Sequence, residues 1–263
     1  MPMGLDDIER SFRISFNKRE DALFSMSMAG FLERDRLLSI LCAYRDSLQA
    51  SDLAVAAVSF SRWFAFLAAG MHYFLSVHNV AIDLSLSNLH VEAVPAEQGY
   101  GFYFPLNAWS DEAAPTVASL RNAWRRRVLR TFYGNTVRPV LDTLATHAGI
   151  RVGPLWGQIP SRLIWFVGKF AEGQNALVQT RVKADFECLK TELAPEVFGR
   201  KQNPFALRLR WVESLEGAGE KVYVFPACCL NYAREQGVHC YACPRLTEAQ
   251  RAAMRAEFRA SRH

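Results

Sequence analysis

The stretch SDLAVAAVSFSRWFAFLAAGMHYFLSV, residues 51–77, decides the fold. It predicts one long helix from Asp52 to about Val77, with Ser51 as the N-cap. Apolar residues cover most sides of this helix, and a helix that is hydrophobic all round is buried. We therefore expect it at the centre of the molecule, with other helices packed around it.

The longest uncharged stretch, residues 63–82, overlaps this helix and is long enough to cross a bilayer. It also contains His72, His78 and Asn79, so a buried helix that continues into a strand explains it better than a transmembrane span. The N-terminus carries acidic residues early and has no apolar signal-peptide core. We expect a cytoplasmic protein, and a peripheral contact with the inner face of the cytoplasmic membrane stays open.

Length and composition fit a soluble globular protein with a substantial core. The chain has 263 residues, of which 50% are hydrophobic and 22% charged. The net charge of +5 permits an anionic partner but is too small to indicate nucleic-acid binding. The sequence has no Gly-x-Gly-x-x-Gly, P-loop or nucleophile-elbow pattern, so no built-in flavin or nicotinamide site is supported.

Outside the central helix, hydrophobic periodicity predicts further helices over residues 33–49, 115–133, 139–147, 160–170, 174–193 and 248–260, the last with a Thr247–Gln250 capping box. Residues 148–154 are predicted as a loop. Short β-like runs over 80–84, 89–94 and 100–104 predict a small antiparallel sheet, and residues 207–211 and 221–225 predict a hairpin. The expected fold class is α+β, predominantly helical, with a small antiparallel sheet and a C-terminal cysteine-rich cluster segment. We divide the chain into a body, residues 1–215, and this segment, residues 216–263.

Four of the six cysteines lie within sixteen residues and form the pattern C-C-x10-C-x2-C. Cys240 and Cys243 form a standard chelate, because a two-residue spacer lets both sulfurs reach one metal. Cys228 and Cys229 are adjacent, and neighbouring residues on a regular strand point to opposite faces, so either a kink near Pro226 brings both thiolates together or each sulfur serves a different metal atom. The remaining cysteines, Cys42 and Cys188, fit predicted helices as small apolar residues.

Spacing alone leaves two metal centres open for these cysteines. A [2Fe-2S] cluster takes four thiolates, two for each iron, and a structural zinc ion also takes four. Zinc sites usually have C-x2-C on both sides, so the vicinal pair favours iron–sulfur. A disulfide is not expected in a reducing cytoplasm. His239 precedes Cys240 directly and is interpreted as a supporting or solvent-facing residue rather than a ligand.

The segment from Cys228 to Tyr232 and the one from Cys240 to Pro244 closely resemble the cluster motif of the FhuF-type siderophore-iron reductases. Leu155-Trp156-Gly157-Gln158 resembles that family's Leu-Trp-Gly-Asn segment, with Gln158 in place of Asn. Arginines often precede the vicinal cysteines in the family, whereas residues 224–227 here are Val-Phe-Pro-Ala. The resemblance implies a [2Fe-2S] cluster on Cys228, Cys229, Cys240 and Cys243.

The resemblance further implies a function: one-electron reduction of ferric siderophore iron to ferrous iron, with release of iron in the cytoplasm. Hard oxygen donors hold Fe³⁺ better than Fe²⁺, so reduction weakens the complex. The electron would come from an external donor protein, a ferredoxin or a flavoprotein reductase. Two alternatives stay open, namely an iron–sulfur electron carrier without enzymatic activity and a zinc-stabilised binding module.

A helix rich in arginine is the predicted docking surface for an acidic electron donor or an anionic ferric chelate. Its members are Arg121, Arg125, Arg126, Arg127 and Arg130, and we add Trp156 of the second motif to this docking set. The competing interpretation is a solvated helix face whose charges are paired with acidic residues elsewhere. No nucleic-acid-binding module accompanies these arginines.

Overall fold

The computed structural model describes residues 4–97, 99–217 and 219–261. In chain order, its helices are α1 (Leu5–Phe12), α2 (Met28–Phe31), α3 (Arg34–Ser47), α4 (Leu53–Ser61), α5 (Phe64–Tyr73), α6 (Ala118–Thr131), α7 (Arg138–His147), α8 (Val152–Trp156), α9 (Gln158–Ala171), α10 (Ala176–Thr191) and α11 (Glu248–Ala260). The strands are β1 (Ile14–Ser15), β2 (Phe24–Ser27), β3 (Val80–Ile82), β4 (His90–Ala96), β5 (Gly99–Pro105), β6 (Asp111–Ala113), β7 (Trp211–Glu213) and β8 (Lys221–Tyr223). The fold is mixed α+β and mainly helical, as predicted.

The central helix is buried as expected, but it consists of two helices and a π-helical end. A tight turn at Arg62 and Trp63 separates α4 from α5, and the Trp63 N–H donates to the Phe60 carbonyl at 2.9 Å. The predicted N-cap was wrong by one residue. Asp52 caps α4, and its carboxylate accepts the Val55 N–H at 3.2 Å. Aspartate and serine are equally good N-caps, so the sequence did not separate the two neighbours.

By length and composition alone, the helical stretch Leu53–His78 could cross a membrane. The 18-residue segment of this stretch that is apolar enough to span a bilayer is 72% buried inside the protein. The flanking helices and the sheet supply the covering surface. Helix α5 packs against α9 and α1, while α4 lies against α3, α7 and α8. This burial is what the core helix of a folded protein shows.

The main sheet has four strands in the order β1-β5-β4-β2. Strands β4 and β5 pair antiparallel as predicted, but β1 adds a parallel edge and β2 an antiparallel one. The run over residues 80–84 was wrongly assigned to this sheet. It forms β3, which pairs with β6 in a separate two-stranded sheet. Short strands such as β1 and β6 carry too few residues for a two-residue alternation to stand out.

Two further predictions can be compared directly with the structure. The hairpin is confirmed as β7 and β8, although each strand has only three residues. The loop predicted over residues 148–154 is partly wrong, since α8 begins at Val152. Pro154 lies within the first turn of α8, where a missing N–H leaves no helical hydrogen bond unmade. The capping box of Thr247 and Gln250 at the start of α11 is confirmed.

A buried charge network joins α6 to α10 in the body. The Asp185 carboxylate is fully buried and accepts two hydrogen bonds of 2.8 Å from Arg121 and one of 3.3 Å from Arg125. Ser76 donates a fourth hydrogen bond at 2.9 Å. A buried carboxylate is tolerated only when it is paired and hydrogen-bonded, and Asp185 meets both conditions.

Candidate functional site

The four clustered cysteines converge on one place in a segment that we call the cysteine segment, residues 224–246. Cys243 Sγ lies 3.5 Å from Cys228 Sγ, and the Cys240 thiol donates a hydrogen bond to Cys229. Each pair therefore joins one member of the vicinal dipeptide to one member of the C-x2-C chelate. All four cysteines are free thiols. Four convergent thiols suit a metal centre that uses thiolate ligands.

A left-handed turn after the vicinal pair produces this convergence. Leu230 has φ of 58°, and its N–H donates to Cys228 Sγ at 3.4 Å. A non-glycine residue in this region costs about 1–2 kcal/mol, so the surrounding contacts must hold the turn. The loop then closes at Gly237, where a Cβ would lie 1.7 Å from the Asn231 carbonyl oxygen. Only glycine fits that approach, so Gly237 allows the chain to turn before it reaches Cys240.

His239 lies closer to the cysteines than the sequence interpretation required. Its Nδ1 is 3.4 Å from Cys243 Sγ, and its ring stacks on Tyr232 with the ring centres 4.4 Å apart. The ligand atoms of Cys228, His239 and Cys243 lie within 4.8 Å of one another. His239 can thus either hydrogen-bond a cysteine ligand or bind a single metal ion alongside two of them.

The thiols differ in acidity because they differ in environment. Burial raises the pKa of Cys228 to about 11, and the hydrogen bond from Cys240 lowers the pKa of Cys229 to about 5. The same hydrogen bond, followed by burial, raises the pKa of Cys240 strongly. Since a bound metal replaces thiol protons, metal loading would release protons from this group.

The second motif recognised in the sequence supports the cysteine segment from the body. Gln158 Nε2 donates to the carbonyl oxygens of Pro154 at 3.0 Å and Cys228 at 3.3 Å. A Cβ on Gly157 would lie 2.4 Å from Cβ of Ala227, so the body and the segment that carries the cysteines are in direct contact there. Trp156 is almost fully buried, so it cannot meet a docked partner at the surface.

Helix α11 holds the cysteine segment from the other side. The Arg251 guanidinium is buried and donates to the carbonyl oxygens of Tyr241 at 3.3 Å, Leu246 at 2.9 Å and Cys243 at 2.6 Å. These three hydrogen bonds fix the backbone around the chelate formed by Cys240 and Cys243. Arg251 could not be identified from the sequence, because it has the same pattern as the other arginines of this amphipathic helix.

An open cavity of about 760 Å³ lies beside the cysteines. Cys229 and Cys240 line it, whereas Cys228 and Cys243 do not. Its other lining residues are three arginines, a set of aromatic side chains and a few polar residues: Arg10, Arg62, Arg162, Phe66, Trp165, Phe166, Tyr223, Phe225, Ser11, Ser161, Gln158 and Asn231. We call it the arginine cavity.

The arginine cavity could not be predicted from the sequence, because α1, the turn after α4 and α9 bring its arginines together from distant positions. One signal was available. Arg62 is the single Asp, Glu, Lys or Arg residue in the stretch from Leu53 to His78, and a lone charge in an apolar helix marks a place that solvent or a ligand reaches.

The predicted arginine docking set does not form one exposed patch. Arg121 and Arg125 point inward to Asp185, whereas Arg126 and Arg130 are exposed. Arg126 is also paired with Glu192, the residue that follows α10, at 3.0 Å. Docking at this helix stays a prediction, and only its exposed arginines are available for it.

A family model described as "Ferric iron reductase FhuF-like transporter" matches residues 60–217, more than half of the chain. The chain belongs to this family. The resemblance seen in the sequence is therefore confirmed, and a role related to siderophore iron follows from it. The matched range of the FhuF-like family includes the Trp156 motif and ends before Cys228.

No curated protein matches the chain. Among solved structures, the aerobactin synthetase IucC from a hypervirulent pathotype of Klebsiella pneumoniae aligns with a TM-score of 0.47 and 13% sequence identity. The alignment covers 72% of this chain and 36% of the synthetase, so the chain spans little more than a third of that protein.

Proposed function

We propose that this FhuF-like protein reduces ferric siderophore iron to ferrous iron in the cytoplasm, using a [2Fe-2S] cluster held by Cys228, Cys229, Cys240 and Cys243. The observation that supports this most directly is the convergence of four free thiols beside an open cavity. When bound, such a cluster supplies one electron, which matches the step from Fe³⁺ to Fe²⁺. An external ferredoxin or flavoprotein reductase returns that electron to the protein.

The residues of the chain have three tasks in this proposal. The cysteine segment supplies four thiolates from a single stretch of chain. Gln158 and Arg251 fix the backbone on which those thiolates sit, through carbonyls of Cys228 and Cys243. The arginine cavity admits a ligand up to Cys229 and Cys240, and thereby brings substrate next to the redox centre. Reduced iron then leaves, because hard oxygen ligands bind Fe²⁺ less tightly.

The test is release of ferrous iron. Protein reduced without oxygen is mixed with a ferric siderophore and a chromogenic Fe²⁺ chelator. We expect one Fe²⁺ for each cluster that is reoxidised, and none with the Cys229→Ser variant. Reoxidation of the cluster by other proteins, with no Fe²⁺ trapped from any siderophore, would make the protein an electron carrier instead.

One observation favours a second candidate, a zinc-stabilised binding module. The ligand atoms of Cys228, Cys243 and His239 lie together within 4.8 Å, which suits a single tetrahedral ion. The metal content of protein purified without oxygen separates the two. Iron and sulfide with a red-brown colour support the reductase, whereas colourless protein with one zinc supports the binding module.

A further inference from the structure

Two of the three arginines of the arginine cavity, Arg62 and Arg162, have no acidic partner among the described residues, whereas Arg10 pairs with Asp7 at 3.1 Å. Within residues 4–97, 99–217 and 219–261, no carboxylate lies within 4.0 Å of the guanidinium nitrogens of Arg62 or Arg162. The neighbouring charges that act on Arg162 are the cations Arg62 and Arg13 and the phenol of Tyr223. Burial, followed by these two cations, lowers the pKa of Arg162 to about 10. Cations that are partly buried and repel one another favour an anion between them.

Two arginines of α6 show how neighbouring arginines elsewhere in this protein are neutralised by a carboxylate. Arg121 and Arg125 are also close together, but the carboxylate of Asp185 neutralises them at 2.8 and 3.3 Å. The absence of an acidic partner for Arg162 among the described residues is therefore not a general property of the arginines in this chain. Its nearest support is instead the ring of Phe66, whose centre lies 4.5 Å from the guanidinium carbon.

The shape of the cavity indicates a small ligand rather than a protein. Its volume of about 760 Å³ falls in the range of small-molecule sites, about 300–1,000 Å³. Phe66, Phe225 and Trp165 provide flat apolar walls, and Trp165 is 56% exposed at the opening. A concave site with convergent cations and aromatic walls suits a compact oxygen-rich anion, because guanidinium groups pair with such oxygens through parallel hydrogen bonds.

We infer that the arginine cavity binds the ferric chelate itself, and that Arg62 and Arg162 make it select chelates with net negative charge over neutral ones. This inference rests on the proposed function, because it assigns that reaction's substrate to a site. Carboxylate and catecholate chelates share the required chemistry, a net negative charge carried by the oxygens around the iron. Neutral trihydroxamate chelates lack it. Cys229 and Cys240 in the cavity wall place the bound chelate beside the electron source.

The test uses gallium(III) chelates, which have the charge and shape of the iron complexes but are not reduced. Full-length protein is titrated calorimetrically with a gallium hydroxycarboxylate, a gallium tricatecholate and a neutral gallium trihydroxamate. At least one anionic chelate should bind about tenfold or more tightly than the neutral one. Arg162→Gln and Arg62→Gln should each weaken its binding about tenfold, the loss expected for one charge-assisted hydrogen bond.

Two further variants keep this result interpretable. Arg162→Lys retains the charge and should recover most of the affinity, while all three variants should keep the wild-type melting temperature within a few degrees. Lys183→Gln removes an exposed cation of α10, outside the cavity and outside the predicted docking set, and should leave the affinity unchanged.

Equal affinity for anionic and neutral chelates would overturn the inference, as would wild-type affinity in Arg162→Gln. If Arg162→Gln instead slows electron uptake from an acidic donor protein without changing chelate affinity, the cavity belongs to the donor and the inference is wrong. Because gallium is not reduced, these outcomes are independent of Fe²⁺ release. The protein can fail as a reductase and still bind anions, or reduce iron without this selectivity.

Discussion

The body and the cysteine segment are stabilised by different chemistry. The body encloses large side chains such as Trp156 and Tyr133, and even a buried carboxylate such as that of Asp185 has a complete set of partners. In the cysteine segment, only Val224, Tyr241, Cys243 and Leu246 are buried, and Arg251 supplies the main support from outside. A segment with so small a core needs a further source of stability, which a metal bound to the four cysteines would provide. The comparison predicts that loss of such a metal would leave the fold of the body intact.

The largest effect is expected from removing a thiolate. Cys229→Ser, or chelation of the metal from wild-type protein, should abolish the visible absorption completely, because each iron of a cluster needs both of its cysteines. The far-UV helical signal of the body should remain, while limited proteolysis cuts the chain after about Ala227. Mass spectrometry of the fragments locates the cuts.

Cys42→Ser is the matched control for this experiment. It should keep the spectrum, with a packing penalty of about 1–3 kcal/mol at most. Cooperative unfolding of the whole protein after metal removal would contradict the division between body and cysteine segment.

The next largest effect is expected at the buried carboxylate of the body. Asp185→Asn leaves Arg121 and Arg125 charged in the interior, which should lower the free energy of unfolding by about 3–5 kcal/mol. Urea titration followed by circular dichroism measures this, and the metal content of the folded protein should not change.

Asp142→Asn is the control for Asp185→Asn. Asp142 pairs with Arg138 on the surface of α7, and exposed ion pairs contribute about 0–1 kcal/mol. If both substitutions lower the free energy of unfolding by the same amount, the network around Asp185 does not stabilise the body more than an exposed ion pair does.

Acid should destabilise the body through His72. Burial lowers the pKa of His72 from 6.5 to about 4, against a weaker opposing effect of Asp185, and its Nε2 lies 3.1 Å from the Tyr133 hydroxyl. As pH falls from 6.5 to 4, the unfolded chain takes up this proton before the folded protein does. Stability from this group is complete above pH 6.5 and declines by about 3 kcal/mol towards pH 4.

The measurement is urea unfolding at several pH values for wild type and His72→Gln. The variant should show a flatter pH dependence, whereas His147→Gln, a change at the end of α7, should follow wild type. Identical slopes in wild type and His72→Gln would show that another group is responsible for the acid sensitivity.

The smallest effect is expected at the contact between the two regions. Gly157→Ala places a methyl group against Ala227, and overpacking of this kind typically costs about 1–3 kcal/mol. The strain falls on the cysteine segment, so the rate of metal loss to a chelator should rise while the helical signal stays. Stopped-flow absorbance follows that rate.

Gly168→Ala, inside helix α9 whose N-cap is Gly157, provides the opposite expectation. No atom lies within 4 Å of the added methyl group, and replacing a helical glycine by alanine should stabilise by about 0.5–1 kcal/mol. If the Gly157→Ala protein loses its metal no faster than the Gly168→Ala protein, packing at this contact does not affect the stability of the cysteine segment.

How much of the structure the sequence predicts depends on how far apart along the chain the residues that form each feature lie. Helices such as α10 and α11 follow from periodicity and capping residues within a short window. The four cysteines could be grouped because they lie within sixteen residues. Their pairing, Cys228 with Cys243 and Cys229 with Cys240, depends on the left-handed turn at Leu230, which a leucine does not signal.

Features that join distant parts of the chain were not predictable. Asp185 and its partner Arg121 are 64 residues apart, and no local pattern connects them. The arginine cavity combines side chains from α1, the turn after α4, α5, α9 and the cysteine segment. The edge strands β1 and β2 come from the first 27 residues, where two to four residues of extended chain have no periodic signal of their own.

Arg251 has a consequence for anyone who wishes to transplant this cysteine pattern into another scaffold. Residues 228–243 carry every cysteine of the pattern, but the carbonyls of Tyr241, Cys243 and Leu246 obtain their hydrogen bonds from a guanidinium on α11. A graft of the sixteen residues alone would copy the ligands and leave behind the group that orients them. The smallest portable unit therefore includes α11, and a designer should treat the loop and the helix as one part.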